Sequence, residues 1–239
     1  MQYDIIVLAI FFVASLVRSG LGFGDALIAM PLLSTFVGLQ LGTPVLAVDA
    51  LIISLILLII ERKQLKLKLL YTFLSGALLG VPIGIYYLSN FPETILKLIL
   101  GIVVFLFSTY KLFFNKKQFR IPNKMSMAIG LISGILGGAY NTNGPPAIIF
   151  AVNNFSEKDF KANLQGMLFP VNIAIISGHF LSGYWVSETY TLFVESLIPI
   201  SLGLVIGVYI SNKINKDIFI KVVWIALMLI SLNLIIQNI

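Results

Sequence analysis

Six apolar tracts follow one another along the chain, at residues 44–60, 67–88, 94–114, 164–184, 190–210 and 218–236, and the charged residues collect between them. Each is long enough to cross most or all of a hydrocarbon core about 30 Å thick at roughly 1.5 Å per helical residue. Lipid offers the backbone no hydrogen-bond partners, so such tracts must satisfy their own N–H and C=O groups, which helices do. The balance of residues agrees: 59% are hydrophobic and 11% charged, against about 25% charged in a soluble domain. That is too little polar surface for water, and the expected class is an all-α polytopic membrane protein.

Residues 5–37 and 125–152 are too long for single spans and are interrupted by glycine, proline and asparagine. Each must bend, break or pass as a hairpin of short helices, giving 8 to 10 membrane segments in all. The net charge of +6 helps to choose between these counts, because lysine and arginine gather in cytoplasmic loops. With ten segments, fifteen of the sixteen basic residues fall on one side, with Lys97 the exception. Both termini are then outside, and Lys66 and Lys117 face the cytoplasm. Residues 1–4 lack the basic region of a signal peptide, so the stretch from Ile5 is expected to be retained as the first membrane segment.

The two interrupted stretches resemble each other. Ser19-Gly20-Leu21-Gly22-Phe23-Gly24-Asp25 leads to Pro31, and Ser133-Gly134, Gly137 and Gly138 lead through Asn141-Thr142-Asn143-Gly144 to Pro145 and Pro146, with eleven residues from first glycine to proline in each. Gly80, Gly84 and Tyr86 are echoed by Gly203, Gly207 and Tyr209. A duplication accounts for this order, with residues 1–121 as the first membrane repeat and 122–239 as the second within one integral membrane domain. Five segments per half make the repeats inverted, the plan of many secondary transporters, whose interrupted helices hold the substrate.

A broken helix frees backbone donors and acceptors that a ligand can use, and a helix start holds an anion without a nearby lysine. The candidate substrate-binding residues are therefore Gly22, Gly24, Gly138, Asn141, Asn143, Gly144 and Asn172. Asp25 and Asp49 are candidates for ion coupling, since an aspartate inside a membrane segment costs roughly 2.5–3.5 kcal/mol on insertion scales. Gln165 and Asn172 fall on one helix face with Pro170 between them. His179 reads as an interfacial residue near the outer end of its span, Glu195 as a gating or proton candidate, and Arg18 as an orientation signal, with attraction of anions at a cytoplasmic mouth as the alternative. Gly76, Gly80, Gly84, Gly203 and Gly207 read as close helix contacts.

Other chemistries find little support. Cysteine is absent and histidine single, so disulfides, thiolate nucleophiles and a metal cluster are not expected. The glycines at 20, 22 and 24 lack a βαβ setting, and no Walker lysine follows a glycine loop. The acids are scattered rather than clustered at one interface, so the chain is not expected to be an enzyme. No cofactor is expected beyond a coupling H⁺ or Na⁺. The expected partners are a small anionic substrate, membrane lipid and, as an option left open, further copies of the chain; nucleic acid is not among them.

Taken with their order, Gly20/Gly22/Gly24 with Pro31, Gly42-x-Pro44 with Ala47, Gly76/Gly80/Pro82/Gly84, Gly134/Gly137/Gly138, Gly144-Pro145 and Asn172 make the chain similar to the TauE/SafE family of bacterial permeases over essentially its full length. The resemblance implies secondary transport of small anions across the cytoplasmic membrane, often sulfur-containing ones such as sulfite, thiosulfate or organosulfonates. The chain departs from the family at Asp25 and Asp49, where small or hydroxylated residues are expected. The alternative is an anion channel, or a proton- or Na⁺-coupled carrier of another small metabolite.

Overall fold

A computed structural model of the chain describes residues 3–113, 121–211 and 216–239. Among them are ten α-helices and no strand: α1 (Ile5–Leu21), α2 (Asp25–Phe36), α3 (Leu39–Glu61), α4 (Leu67–Asn90), α5 (Glu93–Phe113), α6 (Asn123–Tyr140), α7 (Gly144–Asn154), α8 (Glu157–Leu181), α9 (Ser187–Ser211) and α10 (Lys216–Gln237). Six of them, α3, α4, α5, α8, α9 and α10, are long and apolar enough to span a membrane. Only 22% and 28% of the spans in α9 and α10 are buried by protein, yet Ile198, Val205, Val222 and Leu229 are all exposed. Such a surface suits lipid and not water.

The helix ends follow local chemistry. α8 begins at Glu157, well before the apolar tract at 164, because Ser156 Oγ accepts the Asp159 N–H at 3.3 Å and two acids occupy the first turn. Those groups cap a helix start and complement its dipole, and an apolar window does not register them. The long stretch at 5–37 divides at Gly22–Gly24, where both glycines adopt positive φ, 83° and 102°. The stretch at 125–152 divides at Asn141–Asn143.

The helices form two compact units. One contains α1, α2, α5, α9 and α10; the other contains α3 from Thr43 onward, α4, α6, α7 and α8. These units cut across the division at 121/122 instead of following it. In the first, α9 lies against α1, and a Cβ at Gly203 or Gly207 would overlap the backbone of Phe12 or Leu16. In the second, α4 lies along α6: Gly76, Gly80 and Gly84 face the backbone of Met127, Leu131 and Ile135, while Gly130, Gly134 and Gly138 face Phe73, Ala77 and Val81. Small residues let these backbones touch, as expected of tight packing in lipid.

Each unit therefore joins a broken helix pair to a glycine-bearing fourth helix from the other half of the chain. Counted from the helix ends, Gly22 corresponds to Asn141, and both have positive φ. Matched at their helix ends, the two breaks do not follow the glycine-to-proline spacing of the sequence. Pro31 lies inside α2, whereas Pro145 is the second residue of α7, where a missing N–H breaks no helical bond.

Candidate functional site

The break between α6 and α7 collects polar side chains in the second unit. Asn141 closes α6 in the left-handed region, the one non-glycine residue with positive φ among those described, a conformation asparagine tolerates better than most. Its N–H donates to the Gly137 carbonyl at 2.7 Å, and that of Thr142 to the Leu136 carbonyl at 3.2 Å. Thr142 Oγ1 donates to the Tyr140 carbonyl at 3.0 Å. From α8, His179 Nε2 lies 2.9 Å from the Gly138 carbonyl; facing an acceptor, that nitrogen must carry the ring proton. The carbonyls that a helix end leaves uncommitted are thus taken up locally.

The other side of the break has few backbone donors. Pro145 and Pro146 have no N–H, so of the amides that a helix start leaves uncommitted only those of Asn143 and Gly144 exist. Asn143 does not cap α7 with its side chain. Its Nδ2 donates to Asn172 Oδ1 at 2.9 Å, and Asn172 Nδ2 reaches Ser54 Oγ at 3.5 Å, tying the start of α7 to α8 and α3. Ser133 Oγ donates to the Asn143 carbonyl at 2.7 Å. Asn141 is 2% exposed, and neither its Oδ1 nor its Nδ2 has a hydrogen-bond partner among the described residues. An unpaired buried polar group costs about 1–3 kcal/mol, so this amide is the strongest indication of a ligand position.

Asp49, on α3 of the same unit, is 2% exposed, and Gln165 and Asn172 are both fully buried, as their common helix face requires. Asn141, Asn143, Gly144 and Asn172 are thus brought into one polar centre. Gly138 belongs to it differently: its carbonyl accepts from His179, while a Cβ there would overlap Val81 of α4, so the glycine serves helix packing. Gly22, Gly24 and Asp25 form the break of the other unit. There the Asp25 carboxylate is paired with Arg18 at 2.5 Å, with both side chains 4% exposed.

Three residues depart from their sequence readings. Arg18 is a buried ion-pair partner rather than a loop charge, because the last turn of α1 brings it back over the first residue of α2. His179 is fully buried, not interfacial, since its ring fills the contact between α8 and the end of α6. Glu195 Oε2 accepts the Tyr3 N–H at 3.2 Å, which holds the start of the chain against α9. Ser54, which the sequence did not single out, and Ser133, read there only as part of the repeated motif, complete the polar chain; single serines in apolar helices give no periodic signal. Among the described residues no group of three histidine, cysteine or acidic side chains could hold a metal ion.

The family model described as Sulfite exporter TauE/SafE matches residues 7–234. The chain belongs to this family. No curated protein and no solved structure matches it. Membership in the TauE/SafE family agrees with anion transport in general, and the match takes in both breaks and all or most of each of the ten helices. In this TauE/SafE protein the polar centre at the second break is made of amides and hydroxyls rather than lysine or arginine. Such a centre can hold a small anion by directed donors without a fixed opposite charge.

Proposed function

We propose that this TauE/SafE protein is a secondary transporter of small anions in the cytoplasmic membrane, sulfite, thiosulfate or organosulfonates among them, and that it is not an enzyme. The observation that carries the reading is the Asn141 amide, buried with both polar atoms unpartnered beside a helix start whose donors are few and fixed. An inverted-repeat plan is part of this reading, supported by two broken helix pairs, each with three residues between its helices and each packed on a glycine-bearing fourth helix of the opposite half. Asn141, Asn143, Gly144 and Asn172 bind substrate, and Asp49 carries the coupling proton or Na⁺. A charged Asp49 in the same unit would oppose the anion, so neutralising it by a cation makes the two bind more tightly together than apart.

Radiolabelled sulfite or thiosulfate uptake into proteoliposomes, with and without an imposed proton or Na⁺ gradient, tests this. Asn141→Ala is expected to weaken substrate binding by about 1–3 kcal/mol, and Asn141→Gly, which accepts the positive φ without strain, should weaken it as much. Asp49→Asn should keep binding and lose gradient dependence. Wild-type affinity in the Asn141 variants would move the substrate site away from this break; full gradient dependence in the Asp49 variant would remove Asp49 from coupling.

The topology rests on the basic loops. Lys66 is half exposed and paired with Asp159 at 2.6 Å, beside the 3-10 turn at Arg62–Gln64; Lys117 lies outside the described residues. In this naturally cysteine-free chain, Lys66→Cys should resist a membrane-impermeant maleimide in sealed cells and a C-terminal cysteine should react. Labelling of the Lys66 position from outside would reverse the orientation.

A further inference from the structure

The two breaks share a geometry but differ in charge. Counted from the helix ends, Arg18 corresponds to Gly137 and Asp25 to Gly144, so one break carries an ion pair where the other carries two glycines. The pair is well placed on both sides. Arg18 is in the last turn of α1 and Asp25 opens α2, and each complements the dipole of its own helix. The carboxylate thus sits where an anion at a helix start belongs, held by a guanidinium, and both partners are 3% exposed as whole residues. Beside them Phe23 stacks on Trp224 with 6.2 Å between ring centroids, and Trp224 meets Phe107 edge-on at 5.4 Å. Phe107 in turn holds Lys111 Nζ 5.8 Å from its ring, which brings a second cation into this cluster. Apolar walls strengthen whatever attraction Arg18 exerts.

We propose that the first break is a second oxyanion site whose resident anion is the chain's own Asp25 carboxylate, and that a small oxyanion binds Arg18 by displacing it. Arg18 Nη1 donates to Asp25 Oδ2, and a sulfur oxyanion presents the same kind of acceptor oxygen, so one can replace the other on that donor. The tether makes Asp25 a strong competitor, present at high local concentration, and it therefore sets the threshold at which a free anion enters. Exchange also explains why the pair is built into a break: displacement moves one side chain on the first residue of α2 and leaves the helical hydrogen bonds from Ile28 onward in place. This rests on the reading of the chain as an anion transporter, but it concerns residues of the other unit.

Binding is read on the purified full chain in detergent from Trp224 fluorescence, in a Trp185→Phe background, with sulfite, thiosulfate or sulfate titrated at constant ionic strength. Asp25→Asn and Asp25→Gly should bind the oxyanion roughly tenfold more tightly than wild type, because the tethered competitor is gone. The gain should vanish in Arg18→Gln/Asp25→Asn and persist in Asn141→Ala/Asp25→Asn, which disables the second break. No gain in either Asp25 variant, or a gain that survives loss of Arg18, overturns the proposal. If neither Asp25 variant folds, Arg18→Lys decides: it keeps the charge but not the fork, so a weakened Trp224 response supports exchange and an unchanged one refutes it. A protein that binds oxyanion through Arg18 yet is insensitive to Asn141→Ala would fail the proposed function while leaving this inference standing.

Discussion

Gly134→Val is expected to leave little or no recoverable folded protein. A Cβ at this position would overlap the Ala77 carbonyl and crowd the Val81 amide nitrogen on α4, and those are backbone atoms that no rotamer change can move aside. The contact is continuous: Gly76, Gly80 and Gly84 meet α6 from one side, and Gly130, Gly134 and Gly138 meet α4 from the other. One inserted side chain must therefore lift the two helices apart along several turns. Overpacking of a core costs about 1–3 kcal/mol when side chains can adjust, and here the adjustment is denied, so the loss should exceed that range. Gly144→Ala is the control, since its Cβ would find only Ile148 Cδ1 at 3.9 Å, an ordinary contact. Size-exclusion and thermal unfolding in detergent compare the two; a monodisperse Gly134→Val protein melting with wild type would show that α4 and α6 are not in backbone contact.

The same glycines mark what a sequence of this kind discloses. Gly76/Gly80/Gly84 and Gly203/Gly207 were readable as helix contacts because the spacing of small residues is itself the contact surface. Their partners were not, since Gly130 and Gly134 resemble the glycines of the adjoining break. The six long spans were legible from apolar length alone, and the breaks from glycine and asparagine. The start of α8 was not, because a capped polar turn such as Ser156–Asp159 carries no hydrophobicity. Asn141, Asn143 and Asn172 stood out as amides in apolar surroundings, and Asn143 and Asn172 are hydrogen-bonded to each other. Gly138, singled out as a ligand residue, is a helix contact, because glycine leaves no chemical sign of which purpose its missing side chain serves. The correspondence between the two breaks is hard to read from sequence for a related reason. Glycine-to-proline spacing aligns Pro31 with Pro145, but a proline within a helix and one at its start are physically different positions, and only the helix ends distinguish them.

Arg18→Met is expected to destabilise the protein by about 3–5 kcal/mol, the usual consequence of removing one partner of a buried ion pair and leaving the other charge without compensation. Arg18 and Asp25 are each 3% exposed, so neither solvent nor salt can substitute for the lost partner. Arg18→Met/Asp25→Leu should recover most of that loss, because two apolar side chains need no mutual pairing. The exposed pair provides the contrast: Lys66 is 51% and Asp159 16% exposed, and Lys66→Ala should cost less than about 1 kcal/mol. Thermal unfolding of Arg18→Met, Asp25→Leu, the double variant and Lys66→Ala in one detergent gives the coupling directly. Equal losses at Arg18 and Lys66 would mean that lipid headgroups or water reach the first break and screen it. A large loss at Arg18 that the double variant recovers would show that the break carries two charges only because they answer each other. Its folding needs that neutrality, so any anion that takes Asp25's place on Arg18 must leave the carboxylate neutralised by a proton.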